Sequence, residues 1–243
     1  MKLRYEVTVN GKVTSTADVK LPAVKPRKKA LFSLPANALK ADSNAGERFV
    51  NFSLVLATST PWAHLGHEVA WQQIALPSKP LPKAKLAKKA QEYVNAEGAI
   101  ILPFGEVAPR LTLWRAPTDN DAIGHIASKW ETWGLRNIRR DSSTVSRKGG
   151  ITKITHSWKT SAGITIKHIQ TVESVESGLR VTDEVTLPKQ LDDVARVGIN
   201  FELHGDLNQL TYFGTGPSET MPDRALGKVH RWNSTVAQQY VPY

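Results

Sequence analysis

Apolar and polar residues alternate with period two along much of this chain. Leu3, Tyr5, Val7 and Val9 alternate with Lys2, Arg4, Glu6 and Thr8, the pattern of a strand with one buried face. Asn10-Gly11 follows at once, a dipeptide that accepts the left-handed backbone of a tight hairpin turn. Val13 to Leu21 supplies a return strand. Phe49 to Thr58 alternates again, through Phe49, Asn51, Ser53 and Val55 on one face and Val50, Phe52, Leu54 and Leu56 on the other. Both faces are largely apolar, so this strand is expected inside a sheet. Val69 to Leu76 is the next strand. Short strands joined by such turns predict a small immunoglobulin-like sandwich over residues 1–76.

The pattern breaks over residues 77–90, where prolines and lysines replace any apolar periodicity and a stiff linker is expected. A second, larger β domain is expected over 91–243. Its strand candidates are Leu111 to Trp114, Ile151 to Trp158, Gly163 to Val175, Leu179 to Leu187 and Arg196 to His204. Ser177-Gly178 reads as a tight turn. One short helix is expected around Ile126 to Gly134, with Ser128 as N-cap, Glu131 three residues on, and Gly134 at its end. Both ends read as interrupted, with a strand directly after Met1 and a new segment already begun at Val241-Pro242-Tyr243. Sheets short of strands expose unpaired edges.

Composition narrows the class. The 243 residues suffice for one large β domain or two modest ones, and 40% hydrophobic content with seven Trp is not that of a disordered chain. The absence of cysteine removes disulfides and thiolate metal sites and fits a reducing compartment, so a cytoplasmic location is expected. No apolar run of about 18 residues is present, so no membrane partner is expected. Met1 to Glu6 has no apolar stretch of the secretory kind. The net charge of +10 raises nucleic acid as a partner. Much of that excess sits in Lys25, Arg27, Lys28 and Lys29 and in Lys79, Lys83, Lys85, Lys88 and Lys89. Both clusters lie among prolines and alanines without aromatics to stack bases, so a solvated surface is the favoured reading and no nucleic-acid partner is expected.

Two segments concentrate chemistry. Trp114-Arg115-Ala116-Pro117-Thr118-Asp119-Asn120-Asp121 gathers an aromatic, a guanidinium, two carboxylates and an amide around one proline. Asp and Asn tolerate left-handed geometry and make Asx turns, which predicts a tight loop after the preceding strand. Arg115 is expected to pair with Asp119 or Asp121, either in a self-satisfied turn or in a pocket wall. Asp119 and Asp121 are not expected to be a glycosidase pair, because such carboxyls face each other at roughly 5 to 9 Å across a scissile bond. The second segment runs from Tyr212 to Arg224, and its Gly214-Thr215-Gly216-Pro217 displays Glu219, Asp223 and Arg224. It lacks the third glycine and the βαβ setting of a dinucleotide loop. Either an ordered Gly/Pro loop with an Asp–Arg brace or a site is compatible with it. The seven histidines show no metal-ligand spacing, so no metal ligand is expected. Trp114 and Trp133 flank the first segment and are the tryptophans best placed to stack on a sugar ring.

Three stretches together resemble the large bacterial β-galactosidases of glycoside hydrolase family 2. Ala63 to Gln73, with its Gly66-His67-Glu68-Val69-Ala70-Trp71, resembles a strand of the penultimate immunoglobulin-like domain. Trp114 to Asp121, followed by Trp133-Gly134-Leu135, resembles the opening of the small-chain domain. Gly214 to Glu219 with Pro222-Asp223-Arg224 resembles that domain's GxGPxExYPDR motif, although Thr220-Met221 stands where the family commonly has Asn-Tyr. The resemblance implies an all-β chain: a partial immunoglobulin-like sandwich followed by a partial galactose-mutarotase-like supersandwich. It further implies hydrolysis of terminal β-D-galactosyl groups by complete members, through two glutamates on a TIM barrel, with Mg2+ and Na+ assisting in some. The barrel and those glutamates lie outside this chain, which is therefore expected to be inactive alone and to need no cofactor of its own. The implied partners are a catalytic barrel polypeptide, a β-galactoside at a shared pocket, and a second copy of the chain. The candidate pocket or loop residues are Trp114, Arg115, Asp119, Asn120, Asp121, Trp133, Glu219, Asp223 and Arg224. A stand-alone carbohydrate-binding module and an inactive truncated fragment are the alternative readings.

Overall fold

The computed structural model describes residues 1–35, 39, 46–79, 83–87, 93–218, 220 and 225–239. The chain is all-β apart from short helices, and its strands form antiparallel sheets. Two compact units result, one from 1–82 with 208–243 and the other from 83–207.

In the first unit, β1 (Lys2–Val9), β2 (Lys12–Val19), β3 (Arg48–Val55) and β4 (Glu68–Ala75) lie in the order β2-β1-β3-β4. The expected alternation is realised in β1: Leu3, Tyr5 and Val7 are buried while Lys2 and Arg4 face water. Asn10 and Gly11 both take positive φ, 50° and 73°, and Val9 pairs with Lys12, so the turn has two residues. β3 is internal, as its apolar faces require, and Val50 packs with Tyr5 and Val7. A further hairpin, β11 (Gln209–Gly216) with β12 (Lys228–Thr235), belongs to the same unit. Two side chains of β4 tie it there. The Gln73 amide donates to the Val229 carbonyl and accepts from its N–H, both at 2.9 Å. Glu68 accepts two bonds from Lys228 Nζ, each 2.9 Å long.

The second unit holds the meander β6 (Arg139–Lys148), β7 (Ile151–Lys159), β8 (Thr165–Val175) and β9 (Gly178–Thr186), and the pair β5 (Gly105–Thr112) with β10 (Gly198–Leu203). Gly149 and Gly150 form the β6–β7 turn at positive φ, and Glu176-Ser177 the β8–β9 turn, with Gly178 opening β9. Pro109 lies beside a register shift in β5, where the ladder requires no donor from it. Leu111, Leu113, Trp130, Leu135, Trp158, Ile166 and Leu191 make the main core.

Two helices, α1 (Asp119–Ile123) and α2 (Ile126–Thr132), link β5 to β6. The expected N-cap at Ser128 is wrong. His125, at φ 56°, occupies that position, and Ser128 lies inside α2, its carbonyl accepting from Thr132 Oγ1. The helix starts earlier because Ile126, Ala127 and Trp130 all pack on the core. Its end is as expected. Gly134 N–H bonds to the Glu131 carbonyl and Leu135 N–H to that of Trp130, a Schellman closure sealed by contact between Trp130 and Leu135.

Gly134 has φ +68°, and a Cβ there would meet Ser161 Oγ at 2.2 Å and the Ala162 nitrogen at 2.8 Å. Gly134→Ala is expected to cost about 2–4 kcal/mol through strain and steric overlap. A lowered urea midpoint read by tryptophan fluorescence checks this.

Candidate functional site

The Trp114–Asp121 segment is fastened from both sides. Leu113 is fully buried, and Trp114 N–H donates to Thr112 Oγ1 at 3.3 Å, so the segment leaves β5 in a fixed direction. Thr118 is extended, at φ −94° and ψ 170°, and caps α1. Asp121, third in the helix, receives four hydrogen bonds: from Thr118 N–H at 2.7 Å, Thr118 Oγ1 at 2.9 Å, and Arg115 Nη1 and Nη2 at 2.5 and 2.9 Å. The Arg115 guanidinium holds the Asp121 carboxyl well below the usual carboxylate range; burial opposes this, and the Thr118 bonds reinforce it. The tight Asx loop expected for Asp119 and Asn120 is corrected to the first turn of a helix. An aspartate at the third helical position accepts donors that the turn leaves unpaired, and this outweighs the local Asx bond.

The same guanidinium lies 5.0 Å from the Trp130 ring centroid. Trp130 meets Trp114 edge to face at 6.4 Å, and Arg136 lies 5.8 Å from the Trp114 ring. The segment is therefore stacked into the core, cation on ring on ring on cation, with Trp130 Nε1 donating to the Asp193 carbonyl at 2.8 Å. Trp114 also walls a cleft of about 750 Å³ shared with Arg110, Arg136, Arg139 and Lys159. Two of these cations are neutralised locally, Arg110 by Glu202 and Lys159 by Asp141.

The candidates separate accordingly. Trp114, Arg115 and Asp121 form one cluster. Arg115 pairs with Asp121, the second of its two expected partners. Asp119 and Asn120 are exposed on α1. Trp133 is half-buried at the end of α2, with Lys129 Nζ 4.8 Å from its ring centroid. Glu219, Asp223 and Arg224 lie outside the described residues. Gln209 to Gly216, read from sequence partly as loop, is strand β11.

Sequence reading missed a second polar cluster. His156 and His168 pair directly across β7 and β8 and are 2% and 1% exposed. Ser143 Oγ lies 2.7 Å from His156 Nδ1, and His156 Nε2 lies 2.9 Å from Gln170 Oε1. The Gln170 amide and His168 Nε2 both reach Asp183 Oδ1 at 2.8 Å. Gln170 Oε1 can only accept, so Nε2 of His156 carries the proton and Nδ1 accepts from Ser143. Burial holds His156 below its ordinary pKa. Burial alone would raise Asp183, but the His168 and Gln170 bonds outweigh it and keep the carboxyl low. The available signal was positional: His156, His168 and Gln170 occupy the buried register of strands that also carry Ile154, Trp158 and Ile166. Among the described residues, no group of three or more His, Asp or Glu is arranged to hold a metal ion, and no helix is long and apolar enough to cross a membrane.

Fold and site thus define an all-β protein whose chemistry-bearing segment is a clamped aromatic–cation stack. Residues 87–243 match the family described as "Beta galactosidase small chain", and residues 1–77 match "Beta-galactosidase, domain 4". The chain belongs to the β-galactosidase small-chain family. It is 23% identical over 237 residues to a β-galactosidase of Priestia megaterium, an alignment covering 84% of this chain and 23% of that protein. It is 25% identical over 224 residues to a β-galactosidase of an Arthrobacter species, covering 73% of this chain and 21% of that protein. The chain therefore spans under a quarter of the length of either relative.

Asp121→Asn removes the anion that Arg115 and Thr118 share. It is expected to cost about 2 kcal/mol at pH 7, a figure discounted because Arg115 is partly exposed. A carboxyl depressed in the folded state stabilises above its unfolded pKa and loses that contribution as pH falls through the folded value. The gap between wild type and variant should therefore be complete at pH 6–7 and shrink below about pH 4. Urea denaturation at stepped pH measures it.

Proposed function

We propose that this chain is the non-catalytic C-terminal portion of a β-galactosidase, an enzyme that removes terminal β-D-galactosyl groups such as that of lactose. It would pack on a catalytic TIM barrel outside this chain and shape the mouth of the barrel's pocket. One observation carries the reading: the Asp121 carboxylate is spent on four hydrogen bonds inside its own segment. Such a group cannot exchange protons with a glycosidic oxygen near neutral pH. It can hold a wall rigid, and small errors in a wall are costly to positioned chemistry.

The clamp leaves Asp119 and Asn120 exposed on α1, available to a barrel surface or to galactoside hydroxyls. Trp114, half-buried, lines the basic cleft. Glu219, Asp223 and Arg224 remain proposed as substrate-pocket or supporting-loop residues. Mg2+ and Na+, where used, would be held by barrel residues. Assembly with further copies and a cytoplasmic setting complete the proposal.

Hydrolysis of a chromogenic β-galactoside tests it. The chain alone should show no turnover, and mixing with the barrel polypeptide should produce turnover. Asp121→Ala should lower the complemented rate by about 10–100-fold, with circular dichroism confirming that the variant stays folded. Turnover by the chain alone would sink the proposal. No turnover on mixing would favour an inactive fragment.

A further inference from the structure

The cleft of about 750 Å³ beside Trp114 is supplied by three segments of the second unit, 110–114, 135–139 and 159–163, together with Asn200. All of these residues are described. Among the described residues, its lining carries four cations, Arg110, Arg136, Arg139 and Lys159, and no carboxylate. Strand register gathers three of them. Arg110 pairs with Asn200 across β5 and β10, and Arg139 with Lys159 across β6 and β7. Directly paired residues project from the same face of their sheet, so each pair reaches the cleft together.

Two carboxylates outside the lining engage two of the four cations. Glu202 takes Arg110, and Asp141 takes Lys159 at 3.1 Å. A surplus of two positive charges is left on Arg136 and Arg139. Both are exposed, and neither side chain makes an ion pair or hydrogen bond with another described residue. Arg136 lies 5.8 Å from the Trp114 ring centroid. That contact uses the charge of the guanidinium and none of its five N–H donors. Trp130 meets the Trp114 ring edge to face, so the platform under Arg136 is itself fixed. Arg139 stands directly opposite Lys159, a placement in which like charges repel. An anion beside Arg139 and Arg136 would relieve that repulsion and fill both sets of donors.

We propose that this cleft binds a small molecule through a phosphate group. A phosphate carries up to two negative charges and three acceptor oxygens, enough to engage both guanidiniums, which a single carboxylate is not. A neutral ligand would leave the surplus charge uncompensated. Nucleic acid would need aromatic platforms for its bases; Trp114 is the one aromatic residue of the lining, and Arg136 already lies over its ring. The concave shape and volume suit a small molecule rather than a flat acidic protein surface. The proposal goes beyond the β-galactosidase reading and needs no barrel.

The full chain, in low-salt buffer free of other polyvalent anions, is titrated separately with inorganic phosphate and with glycerol phosphate, and binding is followed by 31P NMR. Saturable binding is expected. If both bind, the cleft accepts the esterified group; if inorganic phosphate alone binds, it takes the free ion. Arg139→Gln and Arg136→Gln should each weaken binding about tenfold or more, and circular dichroism identifies which variants stay folded. The double variant Lys28→Gln/Lys29→Gln removes two exposed cations from the other unit and should leave binding unchanged. Four outcomes would each overturn the proposal: no saturable binding of either phosphate, an equal loss in the Lys28/Lys29 variant, binding that survives in a folded Arg139 or Arg136 variant, or tighter binding of a hexaglutamate peptide, which would point to an acidic protein surface. None of them bears on complementation, which is read as turnover with the barrel.

Discussion

The link between the sheets of the second unit depends on one carboxylate. Asp121 closes the first turn of α1, satisfies the Thr118 N–H and hydroxyl, and holds Arg115 against the Trp130 ring. A helix of five residues cannot stand on its own propensity. It exists because its third residue is shared between the cap and a guanidinium stacked on the core. From there the path is set: α2 buries Trp130, Gly134 closes it, and Leu135 enters the core before β6 begins.

A different economy governs the meander. His156, His168 and Gln170 lie on its buried face, where unpaired polar groups are expensive. They are tolerated because His156 donates to Gln170, while Gln170 and His168 each donate to Asp183. Such a ladder fits one register: a slip of one residue between β7 and β8 would turn every member to the other face. The network thus acts on strand alignment more than on net stability, with Ile154, Val172 and Ile166 supplying the apolar contacts around it.

In the first unit, long-range polar contacts play the matching part. Gln73 reaches a backbone partner 156 residues away, and Glu68 a lysine 160 residues away. Burial alone would raise the Glu68 pKa, but bonds from Lys228 and Ser53 outweigh it and keep the carboxyl ionised. Lys228 also sits 5.0 Å from the Trp71 ring centroid. Some of the excess positive charge is therefore engaged inside the unit, while Lys25, Arg27, Lys28 and Lys29 are exposed.

Local rules made several features legible in the sequence. Period-two alternation in β1 and β8, the Asn10-Gly11 turn and the stop at Gly134 follow from contacts within a few residues, and short-range chemistry decides them. The Arg115–Asp pairing was legible as a pair but not as a choice between Asp119 and Asp121. Which carboxylate Arg115 takes depends on Thr118 capping α1 and on the Trp130 ring beneath the guanidinium. His156 and His168 were legible one at a time; only strand register makes them neighbours. The union of Gln73 with Val229 was decided by tertiary structure alone. Alternation and turn chemistry specify where a strand runs and which face it buries. They carry no information about which distant strand will meet it, because that depends on packing and on hydrogen bonds completed only when both partners are in place.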